Sequence, residues 1–252
     1  MDSGKAITVG VLTPHATTGP DAELPDMAPG RVRVEVSRIP AGPATAPGNT
    51  PEELRAQARV AVLDEAASVL LPEADVLAFA STGSGYALGY DAESELVEQL
   101  RDRWNRPFYS TCLSAVAALR SRNIERVSLV HPPWFGSSLN DLGAEYFRSQ
   151  RFEVVDARMA ELPDDPDDVQ PAMVVDWIAQ NLSPDAQAVF LGGNGFRAAR
   201  AIHPLERRTG RLVLEANQVL LWSILRNKGE TAHARRHSLH VDVARRIRRQ
   251  RS

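Results

Sequence analysis

Two glycine-rich segments are the parts of this sequence whose residue types suggest chemistry. The apolar run at residues 188–191 (AVFL) ends in GGNG at 192–195, and the run at 76–80 (VLAFA) ends in STGSG at 81–85. Each pattern predicts a buried strand, a tight turn and the start of a helix. Amides in the first turn of a helix lack internal acceptors and lie at the positive end of its dipole, so they attract anions. Two such turns, facing each other, would bind one small anion from both sides.

Groups able to transfer protons are few near these turns. His15 follows Pro14 at the end of the first predicted strand, and an imidazole there could exchange protons at neutral pH, or it could be an exposed loop side chain. Cys112 follows a short predicted strand, and a helix N-terminus would lower the pKa of its thiol. A buried packing role is the more frequent one for a small residue at that position.

The elements that would position these residues alternate between strand and helix along the whole chain. Such alternation predicts parallel sheets covered on both faces, with ligands bound beyond the carboxyl ends of the strands. Because the strand and turn pattern occurs twice, we predict two similar α/β lobes with a cleft between them. The predicted boundaries are 1–109 plus 217–252 for the first lobe and 110–216 for the second. Between residues 16 and 51 the sequence predicts loops interrupted only by a strand at 31–39.

Composition narrows the function classes. The chain has 252 residues, of which 43% are hydrophobic, with a net charge of −3 and one cysteine. These values predict folded lobes, no disulfide framework and no nucleic-acid partner. The basic tail beyond residue 229 has no interleaved aromatic residues, so we interpret it as a solvated or disordered end. With no apolar stretch of membrane length and no leader pattern, we predict a cytoplasmic protein without a membrane partner.

Metal and nucleotide motifs are also missing from the sequence. It contains no HExxH, no paired CxxC and no GxxxxGK[ST], so we predict no metal and no cofactor. The glycine-rich turns do not have the spacing of a dinucleotide-binding GxGxxG, and no acidic residue ends a strand about 20 residues further on.

Four segments together resemble the aspartate/glutamate racemase superfamily, most closely its maleate isomerase and arylmalonate decarboxylase branch. They are VGVLTPHAT (9–17), ADVLAFASTGSGYALG (74–89), the segment from RPFYST to VHPPW (106–134) and the segment from AVFLGGNG to NQVLLW (188–222). The resemblance covers almost the whole chain. It implies two pseudo-symmetric Rossmann-like, three-layer lobes with the active site between them, and a self-associated form.

The sequence departs from this family at the two positions that the resemblance implies for catalytic cysteines. Ser81 stands at the first position and Gly193 at the second. Without a thiolate, racemisation by two thiols and thiol addition to a double bond lose their reagent. What remains is a set of backbone and hydroxyl donors that could hold a carboxylate or a developing enediolate.

The resemblance and the strand ends together give the predicted site. The predicted catalytic residues are His15, Cys112 and Ser81; the predicted substrate-binding residues are Thr13, Pro14, Thr82, Gly83, Ser84, His131, Trp134, Gly193, Asn194, Gly195 and Asn217. Trp134 could instead be simple packing, and Asn217 a helix cap.

Three functions remain open for this site. The main prediction is a cofactor-independent isomerase or decarboxylase of a small carboxylate or dicarboxylate, acting through an enolate-like intermediate. The alternatives are a non-catalytic or sensory protein that binds a small acid, and an enzyme with different chemistry in the same cleft. The missing thiols favour the binding protein, whereas the polar turns fit both the isomerase or decarboxylase and the binding protein.

Overall fold

A computed structural model describes residues 6–14, 18–40 and 50–227. Within these residues the chain forms eight β strands, ten α helices and one short 3-10 helix, Ala199–Ala201. The strands are β1 (Ile7–Thr13), β2 (Val32–Arg38), β3 (Val76–Phe79), β4 (Phe108–Ser110), β5 (Arg126–His131), β6 (Glu153–Met159), β7 (Ala188–Leu191) and β8 (Leu212–Glu215). The helices are α1 (Pro20–Met27), α2 (Pro51–Gln57), α3 (Val60–Ser68), α4 (Thr82–Leu88), α5 (Tyr90–Trp104), α6 (Thr111–Ser121), α7 (Ser137–Ser149), α8 (Pro171–Asn181), α9 (Ile202–Thr209) and α10 (Ala216–Asn227).

The strands form two parallel sheets with the same strand order. The first sheet runs β2-β1-β3-β4 and the second β6-β5-β7-β8. Each lobe therefore places its first strand between its second and third, and the pairings differ only in a register shift between Val127 and Ser128 of β5, where it pairs with β6. This repetition confirms the predicted pair of pseudo-symmetric α/β lobes. The boundaries at 109/110 and 216/217 stay a prediction.

Side chains of successive strand residues enter different cores, because a strand points them to opposite faces. In β3, Val76 and Ala78 join a central core that also contains Phe190 of the second sheet, whereas Leu77 and Phe79 join a core covered by α3 and α5. A third core lies on the outer face of the second sheet. Both sheets are thus covered on both faces, and the central core binds the lobes together.

Helix α1 lies inside the segment for which the sequence predicted only loops around one strand. Pro20 occupies its first turn, with Asp21 and Glu23 beside it. Proline suits the first helical position and acidic residues suit the positive end of the dipole, so the local sequence does favour a helix start. The prediction was wrong here because an eight-residue helix carries little periodic signal. Its position matters, because Glu23 is buried against the second lobe.

A buried carboxyl forms a hydrogen bond between the two lobes. Glu93 of α5 accepts a hydrogen bond from the Tyr146 hydroxyl of α7, and no part of Glu93 is exposed to solvent. Burial raises the pKa of Glu93 to about 7, against the lowering effect of the Tyr146 hydrogen bond. The folded protein therefore holds this proton more tightly than the unfolded chain does.

We expect this group to make the fold more stable at mildly acidic pH than at neutral pH. Its contribution is fully present below pH 4.5 and is lost as the pH rises through 7, which amounts to about 3 kcal/mol for a shift of this size. Glu93→Gln should remove that share of the pH dependence, measured as the free energy of unfolding in urea at several pH values. Glu98→Gln, exposed on the same helix, is the matched control. If the free energy of unfolding of both variants changes with pH as that of wild type does, the Glu93 carboxyl is not protonated in the folded protein.

Candidate carboxylate site between the two lobes

The first glycine-rich turn begins α4 as predicted. Ser81 caps the helix, because its hydroxyl oxygen accepts the backbone N–H of Ser84 at 3.2 Å. The Ser81 hydroxyl in turn donates to the Ser84 hydroxyl at 2.7 Å. Ser81 and Ser84, two of the predicted site residues, are therefore hydrogen-bonded to each other. The backbone N–H of Thr82 points across to the other lobe.

The second glycine-rich turn does not begin a helix, which corrects the prediction. Gly193 has a φ of +91° and Arg197 a φ of +52°, and the next α helix starts only at Ile202. These left-handed conformations interrupt any helical run, and such a φ is easy only for glycine. The amides of this turn are consequently not at a helix N-terminus, and the helix dipole does not contribute to anion binding there.

The two turns meet directly through the side chain of Asn194. Its amide oxygen accepts the backbone N–H of Thr82 at 3.0 Å and the Thr82 hydroxyl at 3.1 Å. The Thr82 hydroxyl oxygen also accepts the backbone N–H of Gly193 at 3.0 Å. None of Thr82 or Asn194 is exposed. The gap expected between the turns is therefore filled by Asn194, although the donors do face each other.

The amide nitrogen of Asn194 extends the network to two further residues. It donates to the Thr111 hydroxyl at 3.0 Å and to the Asn217 side-chain oxygen at 2.8 Å. Asn217 donates to the backbone oxygen of Asn194 at 2.9 Å and to the carboxylate of Glu23 at 2.7 Å. The strand ends of β3, β4, β7 and β8 thus contribute to one polar cluster, to which α1 adds Glu23.

Two carboxyl groups flank Asn217. Glu215 accepts the backbone N–H groups of Asn217 and Gln218, both at 2.9 Å. Burial raises the pKa of Glu215 well above its ordinary value, and the nearby Glu23 raises it further. Burial also raises the pKa of Glu23, against its hydrogen bonds with Asn217 and Ala199. The cluster therefore contains acid groups that retain protons more readily than a carboxyl in water.

His131 lies beside the second turn, where a Cβ at Gly192 would come within 2.8 Å of its ring. Its ring lies between the Asn140 side-chain oxygen at 2.9 Å and the Tyr86 hydroxyl at 3.1 Å. Asn140 donates its own amide to Ala157, so the histidine donates to Asn140 and accepts from Tyr86. Burial lowers the pKa of His131 to about 4. At neutral pH this imidazole is uncharged.

Cys112 lies in the first turn of α6 and packs behind α4, against Gly85. Its thiol donates to the backbone oxygen of Thr82 at 3.4 Å and is fully buried. Burial raises the pKa of this thiol, and the nearby Glu93 raises it further. The group is held as a thiol, which is a poor nucleophile.

The other predicted site residues have separate positions. The Thr13 hydroxyl donates to the backbone of Ala80 at 3.0 Å, so it joins the ends of β1 and β3. Gly83 faces Leu54 of α2, and Trp134 packs edge-on against Phe196. Pro14 and Gly195 are buried, and His15 lies outside the described residues.

Sequence reasoning missed two members of the cluster. Thr111 follows a strand end, so the rule that ligands lie beyond parallel strands could have found it. Glu23 gave no signal, since nothing in a segment rich in proline and glycine distinguishes it from Asp21 or Asp26. Among the described residues, no three histidine, cysteine or acidic side chains gather closely enough to hold a metal ion.

The arylmalonate decarboxylase family profile matches residues 49–239, and the chain belongs to this family. No curated protein sequence matches the chain. Its fold is shared by several solved structures. The maleate isomerase Iso from Pseudomonas putida S16 is 22% identical with a TM-score of 0.73, covering 89% of this chain and 94% of that one. An arylmalonate decarboxylase is 18% identical with a TM-score of 0.72, covering 87% and 91%.

A third solved structure shares the fold. It is a mutant Nocardia farcinica maleate cis-trans isomerase with a covalently bound succinylcysteine intermediate, 22% identical with a TM-score of 0.73, covering 89% of this chain and 93% of that one. Family and fold agree with the predicted isomerase or lyase class of enzyme. None of the helices in the described part of this chain is long and apolar enough to cross a bilayer.

Proposed function

We propose that this protein is a cofactor-independent isomerase or decarboxylase that acts on a small carboxylate or dicarboxylate through an enolate-like intermediate. The carboxylate site is the cluster formed by Thr82, Thr111, Gly193 and Asn217, with Asn194 as its occupant when no ligand is bound. We also propose that the protein acts in the cytoplasm, as a homo-oligomer and without a nucleic-acid partner.

One observation carries this proposal: the Asn194 amide oxygen accepts both the backbone N–H and the hydroxyl of Thr82. A side-chain amide has nearly the shape of a carboxylate, and its oxygen is an acceptor in the same direction. A ligand carboxylate that displaced Asn194 would meet the same donors with a full negative charge, which strengthens each hydrogen bond.

The same donors suit the developing charge of the reaction. Loss of carbon dioxide or of a proton next to a carboxylate places negative charge on the carboxylate oxygens, and fixed donors in a buried site stabilise that charge. We assign the donor role to the backbone N–H and the hydroxyl of Thr82, and the Gly193 N–H holds that hydroxyl in place. For proton transfer we favour His15 over Cys112, because the Cys112 thiol is buried behind α4 and its pKa is raised.

The test uses the two substrate classes of the similar enzymes. The protein is incubated with phenylmalonate or maleate in heavy water, and proton NMR follows deuterium uptake, loss of carbon dioxide and conversion of the double bond. We expect turnover of one of them, and a loss of about 10²–10³-fold in Thr82→Val, which keeps the shape and removes one donor. Thr8→Val is the matched control, since Thr8 is also a buried threonine of the first sheet but lies at the start of β1, far along that sheet from the strand ends that form the site. Equal activity of both variants would remove Thr82 from the mechanism.

The second candidate is a non-catalytic protein that binds a small acid. It is favoured by the fully buried Cys112 thiol together with serine and glycine at the two family cysteine positions. In that case maleate or phenylmalonate would raise the melting temperature while the NMR spectra stayed unchanged. Turnover in wild type that Thr82→Val abolishes would exclude it.

A further inference from the structure

A cavity of about 450 Å³ opens between α1 and α9, next to the carboxylate cluster. It is lined by Glu23, Asp26, Met27, Ala199, Arg200, Ile202 and His203. Glu23 lies where the cavity meets the cluster, because the residue lines the cavity and its carboxylate accepts a hydrogen bond from the Asn217 amide. Only 7% of Glu23 is exposed. This side chain is therefore the link between the cavity and the buried donors.

Glu23 reaches Asn194 through one intermediate. One carboxylate oxygen accepts the Asn217 amide at 2.7 Å, and Asn217 in turn accepts the Asn194 amide at 2.8 Å. The other carboxylate oxygen accepts the backbone N–H of Ala199 at 2.9 Å. Because both N–H groups of the Asn217 amide are engaged, its side-chain oxygen is held toward the Asn194 amide nitrogen. The Asn194 amide oxygen is thereby held against the N–H and hydroxyl of Thr82.

The rest of α1 is held against the second lobe beside this chain of hydrogen bonds. Asp26 pairs with Arg200 at 2.8 Å on the surface. A side chain at Gly19, just before the helix, would come within 2.7 Å of the Asn194 backbone oxygen. The segment therefore covers the second turn closely, and Glu23 supplies its buried polar attachment.

We propose that Glu23 is a positioning residue that, through Asn217, holds Asn194 in the carboxylate donors until a ligand replaces it. This role rests on the function proposed above. When the contact between Glu23 and Asn217 breaks, Asn217 turns, Asn194 loses its amide acceptor, and the Thr82 donors become available. The apparent affinity for a carboxylate is then limited by the fraction of molecules in which this contact is open.

The proposal gives Glu23 a pH signature. The charged groups facing it are Arg197 and Arg200 of the second turn and 3-10 helix, Glu215 of β8, Asp26 on its own helix and His203 across the cavity. Burial raises its pKa from 4.5, and release into water returns the pKa toward that value. Binding that releases Glu23 must therefore release protons just above pH 4.5, and affinity must increase with pH there.

The test measures phenylmalonate and maleate affinity by calorimetry in wild type, Glu23→Gln, Asn194→Ala and the double variant. Glu23 accepts hydrogen bonds from two N–H groups, and glutamine would present an NH₂ group to one of them. Because that lost hydrogen bond weakens the hold on Asn194, Glu23→Gln should bind the acid about tenfold more tightly than wild type. In Asn194→Ala the donors are already free, so adding Glu23→Gln should change nothing. The rise of affinity above pH 4.5 should be smaller in Glu23→Gln; because the ligand titrates identically in both proteins, the difference reports Glu23.

Asp26→Asn is the matched control, since it removes a surface ion pair of the same helix, and it should leave affinity within twofold of wild type. If Glu23→Gln does not fold, Glu23→Asp replaces it, because aspartate is too short to reach both Ala199 and Asn217. The same gain in affinity is expected for that variant. Two results would overturn the positioning role of Glu23 while leaving the proposed function intact. One is equal affinity of Glu23→Gln and wild type; the other is a Glu23→Gln effect of the same size in the Asn194→Ala background as in wild type. Failure of Asn194→Ala to bind either acid overturns the proposed function as well.

Discussion

Gly193→Cys, which places a thiol where the family resemblance implies the second cysteine, is expected to destabilise the fold by about 2–4 kcal/mol and to give no thiol-dependent activity. The backbone φ of Gly193 is +91°, a conformation that side chains rarely adopt. A Cβ there would also come within 2.9 Å of the Pro132 ring, which is rigid and must move. Urea denaturation measures the loss of stability, and NMR with maleate measures turnover.

Gly30→Cys separates the two causes of that loss. Gly30 has a φ of +72° and no heavy atom within 4 Å of its Cβ position, so this variant reports backbone strain alone. The excess destabilisation of Gly193→Cys is the clash with Pro132. A stable, active Gly193→Cys protein would mean that the second turn accommodates a side chain at this position without strain.

Asn194→Ala is expected to lower the free energy of unfolding by about 3 kcal/mol in the absence of ligand. It removes the acceptor of the Thr82 backbone N–H and the donor to Asn217, both of which are buried. Because a carboxylate can satisfy the Thr82 donors, maleate should raise the melting temperature of this variant more than that of wild type.

The control for this prediction is Asn181→Ala. The Asn181 side chain makes one hydrogen bond, to the backbone of Trp177, and is only partly buried, so a cost of about 1 kcal/mol and no response to maleate are expected. Should Asn194→Ala be as stable as wild type, the contact between the turns would not hold the lobes together. Should maleate stabilise both asparagine variants equally, the acid would bind elsewhere.

The acidic residues show where sequence reasoning stops. Asp21, Glu23 and Asp26 lie within one turn and a half of the same helix, and their types and spacing are nearly equivalent. Only Glu23 is buried, because α1 packs against α10 and the Glu23 side chain contacts Ala199 and Asn217 there. Burial of this kind depends on contacts between residues far apart in the chain, which no local pattern records.

The second turn shows a different limit. The sequence at 192–200 (GGNGFRAAR) contains good helix formers directly after the glycines, so propensity favours an immediate helix start. The chain instead uses left-handed conformations at Gly193 and Arg197, which aim Asn194 at Thr82. Tertiary hydrogen bonds outweighed a local preference that is worth only tenths of a kcal/mol per residue.

By itself, the sequence determined the two-lobed parallel architecture and the nearness of residues 81–85 to residues 192–195, because buried strands and the turns that end them are local patterns and parallel strand ends gather at one edge. The tertiary structure alone decided which polar groups are engaged there: Asn194 in the Thr82 donors, Cys112 behind α4, and Glu23 joined to Asn217. The reason is that hydrogen-bond partners inside a protein are selected by the packing of distant segments, since each buried donor must find an acceptor wherever the fold brings one.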